Sequence, residues 1–136
     1  SLTGYEPKLA KKLAISNKDP RLNPFQELSN LNQITIGIGA PIQSNEEVLI
    51  GTLFFQPKTP RQVYAKRYLH VDELPYFSAG HKQLVLSFKD AVITPAICYE
   101  SLQPKHLENA ISLGASIYLA SVAKPQKHLK AAFIFN

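Results

Sequence analysis

The residue with the most distinctive chemistry in this sequence is its single cysteine, Cys98. It follows the apolar residues 91–97, which predict a buried β-strand, and it precedes a helix expected to start near Pro104. In α/β proteins a strand-to-helix turn exposes a side chain at the carboxyl end of the sheet and directs backbone N–H groups at a bound group. A nucleophile is therefore one interpretation of Cys98. A small buried core residue is the other, and position alone leaves both open.

A cysteine that attacks an amide or a nitrile needs a group that takes its proton and groups that stabilise the charge formed on the substrate. Histidine is the usual partner, but no two of the four histidines have a spacing that indicates a metal site. We interpret each of them as a surface or capping residue: His70, His81, His106 and His128. The carboxylates and lysines therefore have to be considered. Glu100, two residues after the cysteine, is expected to anchor the turn by hydrogen bonds.

The composition excludes several classes of protein. The chain has 136 residues, of which 45% are hydrophobic and 18% charged, as expected for one globular domain. Its apolar runs are much shorter than the roughly 20 residues that cross a bilayer, so we expect no membrane segment. The net charge is +5, but the lysines are scattered, which favours a solvated surface over a nucleic-acid site. One cysteine permits neither an internal disulfide nor a multi-cysteine zinc site, and it fits a reducing, cytoplasmic location.

The elements that must position these residues can be predicted from periodicity. Helical spacing is found after Tyr5 and after Asn23, where Asn23 is the expected cap. Strands are predicted at 34–38, 48–55 and 62–66, followed by a hairpin of residues 83–88 and 91–97 with its turn near Lys89 and Asp90. A helix from Pro104 to Leu113 and a second buried strand at 116–120 complete a βαβ unit. The predicted class is mixed α/β with a largely buried sheet.

Several stretches occur in an order that resembles the carbon-nitrogen hydrolase (nitrilase) superfamily, over roughly residues 34–124. They are Tyr64-Ala65-Lys66-Arg67-Tyr68-Leu69, then Glu73-Leu74-Pro75-Tyr76-Phe77-Ser78-Ala79-Gly80, then Ile97-Cys98-Tyr99-Glu100, and then 110–118. The opening residues 1–5 also resemble the segment that follows a Pro-Glu strand end in that superfamily. The order of the stretches carries the resemblance, because each one alone occurs by chance.

The resemblance implies an αββα sandwich of the nitrilase type, incomplete at both ends, with residues 1–136 as the central part of a single domain. It also implies a Glu-Lys-Cys triad. Cys98 matches the nucleophile, and Lys66 matches the lysine that stabilises the tetrahedral intermediate together with the backbone N–H of Tyr99. Glu73 matches a second glutamate that positions the lysine and the substrate, although Asp72 is adjacent and a surface carboxylate is the alternative.

The general base implied by the resemblance is a glutamate about two residues before Ser1. Glu6 is the nearest carboxylate in the chain, but its place at a helix start explains it without catalysis. The serine start, the absence of methionine and the apolar residues 131–136 also lead us to expect a fragment of a domain near twice as long, inactive alone.

The implied activity is hydrolysis of a small amide, or less commonly a nitrile, through a cysteine acyl-enzyme, with no metal and no organic cofactor. The resemblance also implies a homo-oligomer, a dimer or higher. Acyl transfer by the same residues, a catalytically silent scaffold and, last, a nucleic-acid binder are the alternatives. A Pro-Glu pair that ends an apolar strand upstream of Ser1 favours the enzyme, and any other residue in place of that glutamate favours the scaffold.

Overall fold

The computed structural model describes residues 1–123, which fall into two compact units. The first is Ser1–Lys82 and the second starts at Gln83. The predictions for His128 and for the apolar residues 131–136 lie outside the described residues. No helix among the described residues is both long and apolar enough to span a membrane.

The first unit contains an antiparallel sheet in the order β1-β2-β3, formed by β1 (Ile36–Ser44), β2 (Glu47–Phe55) and β3 (Gln62–Ala65). The strand predicted at 34–38 continues through Pro41 to Ser44, because Pro41 lies in an edge strand. Its carbonyl accepts a hydrogen bond from the N–H of Ile15 at 3.0 Å, and an edge position needs no N–H from the proline.

Short helices cover one face of this sheet. The first predicted helix is divided into a 3-10 turn, Pro7–Leu9, and a single α-turn, α1 (Ala10–Leu13). The longer α2 (Asn23–Asn32) confirms the second predicted helix, but Leu22 and not Asn23 occupies its N-cap. Phe25 of α2 packs against a core formed by Ile15, Leu22, Ala40, Ile42, Leu53 and Phe55.

The second unit confirms the predicted hairpin and βαβ unit. Strands β4 (Leu86–Phe88) and β5 (Ala91–Ile97) are antiparallel, and β5 pairs in parallel with β6 (Ile117–Ser121). Between β5 and β6 lie a 3-10 helix, Cys98–Leu102, and α3 (Pro104–Ser112). The helix α3 ends before Gly114, whose φ of +79° is the left-handed conformation that glycine adopts at a helix end.

The prediction that β6 is buried on both faces is wrong. Ile117 and Leu119 are 44% and 49% exposed, whereas Tyr118 and Ala120, on the opposite face, are partly buried. A short apolar run has the same sequence pattern whether one or both faces are covered, so the periodicity could not distinguish the two cases.

Candidate active site

Lys66 directly follows β3, and backbone hydrogen bonds fix its position. Its N–H donates to the carbonyl of Ile50 at 2.8 Å, and its own carbonyl accepts from the N–H of Gly80 at 2.7 Å. A Cβ at Gly80 would overlap with the carbonyl oxygen of Ala65, so only glycine permits this close approach of the two backbones. The Lys66 side chain therefore leaves a rigid strand end.

The Lys66 ammonium is almost completely buried and paired with Glu73. Lys66 is 1% exposed and Glu73 is 5% exposed. The Nζ of Lys66 donates to both carboxylate oxygens of Glu73, at 2.7 Å to Oε1 and 2.8 Å to Oε2. Oε2 also accepts from the N–H of His70 at 2.7 Å, and Oε1 accepts from the Tyr5 hydroxyl at 3.3 Å. The carboxylate is thus held by donors from three parts of the first unit.

This arrangement identifies which of the two adjacent carboxylates pairs with the lysine. Asp72 lies at the exposed surface, where its Oδ1 is 2.6 Å from Nδ1 of His70. The structure brings Lys66 and Glu73 together, and a buried ammonium held in one orientation is suited to stabilise an oxyanion that forms on a substrate. Burial of two charges is costly, which makes such a pair a candidate for a functional role.

In the second unit, Cys98 lies at the junction between β5 and the 3-10 helix, as predicted. Its φ of +49° is left-handed, a conformation that non-glycine residues seldom adopt and that costs of order 1–3 kcal/mol. Its carbonyl accepts a hydrogen bond from the Ser101 hydroxyl at 2.8 Å. Cys98 is partly exposed. Tyr99, whose N–H is the implied oxyanion donor, is the next residue of the same 3-10 turn.

Glu100 anchors this turn, as predicted. It is 0% exposed, and its Oε2 accepts from the N–H of Ile97 at 2.8 Å. The backbone of Ile97, the residue before Cys98, is therefore hydrogen-bonded to the carboxylate of Glu100, the second residue after Cys98.

The interpretation of His106 as a surface or capping residue is wrong, because His106 is 0% exposed. Its Nε2 lies 3.7 Å from Oε1 of Glu100, and its Nδ1 lies 2.7 Å from the hydroxyl oxygen of Tyr118 on β6. His106 lies one helical turn before the buried Ala110, and this spacing is the sequence signal that could have placed it on the inner face of α3. Burial, and secondarily the charge of Glu100, raise the pKa of Tyr118 to about 12.

Residues 1–123 contain no group of three or more His, Cys, Asp or Glu side chains that could hold a metal ion. Lys66 and Glu73 belong to the first unit, and Cys98 and Tyr99 belong to the second.

Comparisons with solved structures identify the fold. A CN-hydrolase superfamily protein from Xanthomonas campestris, with an arsenic adduct in its active site, has a TM-score of 0.82 at 20% identity over 94% of this chain and 51% of its own. Nit3 from Saccharomyces cerevisiae, a member of branch 10 of the nitrilase superfamily, has a TM-score of 0.78 at 17% identity over 96% and 50% of the two chains.

A variant of the amidase from Nesterenkonia sp. AN1, with acrylamide added to its active-site cysteine, has a TM-score of 0.72 at 18% identity over 93% of this chain and 52% of its own. No family model and no curated protein matches the sequence. The α/β fold of the nitrilase type is therefore confirmed, and the chain spans about half the length of these structural relatives.

Proposed function

We propose that this chain carries three catalytic residues of a hydrolase that cleaves non-peptide carbon–nitrogen bonds in small amides. The observation that carries the proposal is the buried ion pair in which both oxygens of Glu73 hold the Lys66 ammonium. Cys98, in its left-handed strand-to-helix turn, supplies the nucleophile. The nitrilase-type fold supports the assignment, since the relatives above include an amidase.

In the proposed reaction the Cys98 thiolate attacks the amide carbon and a carbon–sulfur bond forms. The carbonyl electron pair moves to oxygen, where the Lys66 ammonium and the Tyr99 N–H stabilise the negative charge. Glu73 orients the ammonium through both of its carboxylate oxygens. The carbon–nitrogen bond then breaks, and the nitrogen leaves as ammonia or an amine after it takes up a proton.

The product of this first half is a thioester on Cys98. Water attacks it, the carbon–sulfur bond breaks, and the carboxylic acid leaves with the thiol restored. The resemblance assigns the proton transfers in both halves to a glutamate that precedes Ser1. An acyl acceptor other than water would convert the same thioester into an acyl-transfer product.

The test is amide turnover by the complete protein, measured as ammonia released from a panel of small aliphatic and aromatic amides. We expect Cys98→Ala and Lys66→Met to abolish turnover, because one removes the nucleophile and the other the charge that offsets the oxyanion. Lys89→Met, at the β4–β5 turn, is the matched control and should retain full activity. Unchanged turnover by Cys98→Ala would refute the proposal. Product formed only with an added amine acceptor would identify acyl transfer, and a folded wild-type protein that turns over no substrate would favour the scaffold.

A further inference from the structure

The second unit buries two titratable side chains that the reaction above does not use. Glu100 and His106 are both 0% exposed, and the half-buried Tyr118 contacts them from β6. Charged and titratable groups are seldom buried unless a partner compensates the lost solvation. Glu100 lies in the same 3-10 helix as Cys98, and His106 faces Glu100, so both residues can affect the conformation of the Cys98 turn.

The contacts form a closed chain around the turn. The Ile97 N–H donates to Oε2 of Glu100 at 2.8 Å, and the other carboxylate oxygen faces Nε2 of His106 at 3.7 Å. Nδ1 of His106 lies 2.7 Å from the Tyr118 hydroxyl oxygen, and that hydroxyl lies 3.5 Å from the Glu100 carbonyl. Three elements, the 3-10 helix, α3 and β6, thus meet at Glu100.

The turn needs such support because Cys98 adopts a positive φ of 49°. A strained conformation of this kind persists only where surrounding contacts determine it. Here the contacts act on both sides of Cys98, through the Ile97 N–H before it and through the Ser101 hydroxyl that donates to its carbonyl. The first of these two contacts depends on a correctly placed Glu100 carboxylate.

His106 is a buried group that packs against the Glu100 carboxylate and can hold it in that place. Because both side chains are 0% exposed, removal of the ring leaves a space into which the carboxylate can turn away from the Ile97 N–H. The hydrogen bond between Nδ1 and Tyr118 fixes the imidazole ring, so that Nε2 is directed at the carboxylate.

We infer that His106 is a positioning residue that, through Glu100, fixes the turn presenting Cys98 and keeps its thiol reactive. The inference rests on the proposed function only in assigning Cys98 as the nucleophile. His106 from α3 faces the Glu100 carboxylate, Tyr118 from β6 faces the Glu100 carbonyl, and Cys98 shares the turn of Glu100. Loss of the imidazole removes a buried side chain that holds the carboxylate in place, so that the turn no longer presents the thiol in one geometry.

The test is the rate of Cys98 alkylation by iodoacetamide as a function of pH, measured on the complete protein without substrate. We expect His106→Ala to slow alkylation at pH 7 about tenfold, because the turn no longer holds the Cys98 thiol in one reactive geometry. His106→Gln places an amide N–H near the position of Nε2. It should recover at least half of the decrease in the logarithm of the alkylation rate that His106→Ala causes. Tyr118→Phe should cause a smaller decrease in the same direction.

Ala110→Gly is the control for a purely structural effect. Ala110 lies on the same helix face and is 1% exposed, but it is apolar, and glycine there costs roughly 1 kcal/mol in helix stability. Thermal melting identifies a temperature at which all variants are folded, and alkylation is measured there. An alkylation rate for His106→Ala within twofold of wild type, or one lowered equally by Ala110→Gly, would overturn the inference.

This readout separates the inference from the proposed function. A His106 effect on alkylation in a protein that turns over no amide would refute the function and keep the inference. Amide turnover that requires Cys98, together with alkylation and kcat that do not depend on His106, would keep the function and refute the inference.

Discussion

Glu73 in the first unit and Glu100 in the second are both buried glutamates. Each lies near the side-chain nitrogen of a basic residue, Lys66 or His106, but their contacts differ. Glu73 receives two short hydrogen bonds from the Lys66 ammonium, at 2.7 and 2.8 Å. Glu100 receives its short bond from the Ile97 backbone N–H, at 2.8 Å, and its histidine is 3.7 Å away. The first carboxylate fixes a charged side chain, whereas the second fixes a segment of backbone.

The difference has consequences for stability and for function. The Lys66–Glu73 pair is buried and joined by two short hydrogen bonds, so removal of one member leaves a buried charge without this partner. Removal of the Glu100 charge weakens the hydrogen bond that the carboxylate accepts from a peptide N–H, which costs less. Substitutions at the two glutamates therefore separate a side-chain role from a backbone role.

The largest effect is expected for Glu73→Gln. This variant removes the charge that compensates Lys66, and breaking a buried ion pair costs about 3–5 kcal/mol of unfolding free energy. Urea denaturation measures the change. Asp72→Asn is the matched control, because Asp72 is exposed and adjacent, and it should leave stability unchanged. A Glu73→Gln variant as stable as the Asp72→Asn variant would contradict the importance of the pair.

A smaller effect is expected for Glu100→Gln. The amide can still accept a hydrogen bond from the Ile97 N–H, but the bond is no longer charge-assisted. We therefore expect the free energy of unfolding to fall by at most about 3 kcal/mol. Glu108→Gln, on the exposed side of α3, is the control. If Glu100→Gln destabilised the protein more than Glu73→Gln, the contrast between the two carboxylates would be reversed.

The smallest effect is expected for Tyr118 at alkaline pH. Its pKa is raised to about 12 from an ordinary value of 10.0, so the folded state favours the protonated phenol. The resulting stabilisation is fully present below pH 10 and is lost as the pH rises from 10 toward 12. Denaturant unfolding between pH 8 and pH 11.5 should therefore show a shallower loss for Tyr118→Phe than for wild type. Parallel curves for the two proteins would show that Tyr118 is not shielded as described.

Much of the fold could be predicted because its signals are local. The apolar residues 91–97, the turn at Lys89 and Asp90, and the helix ending before Gly114 were all recognisable from neighbouring residues. The extension of β1 through Pro41 could not be predicted, because it depends on whether β1 lies at an edge of the sheet. The exposure of Ile117 and Leu119 likewise depends on what covers each face of β6.

The candidate site shows the same division. Motif order selected Lys66, Glu73 and Cys98, but the sequence could not tell whether Glu73 or Asp72 is the partner of Lys66, since the choice depends on how the loop after β3 folds back. The spacing of His106 and Ala110 could have placed His106 on the inner face of α3. Its partners, Glu100 and Tyr118, could not be predicted, because they lie on two other elements and long-range polar contacts leave no periodicity in the sequence.

Mass spectrometry of the complete protein, quenched in acid during amide turnover, tests whether Cys98 is the nucleophile of an acyl-enzyme. We expect an acyl group, labile to hydroxylamine, on the peptide that contains Cys98, and its absence from the Cys98→Ala variant. Turnover without an adduct on that peptide, at equal rates in the two proteins, would contradict this role of Cys98.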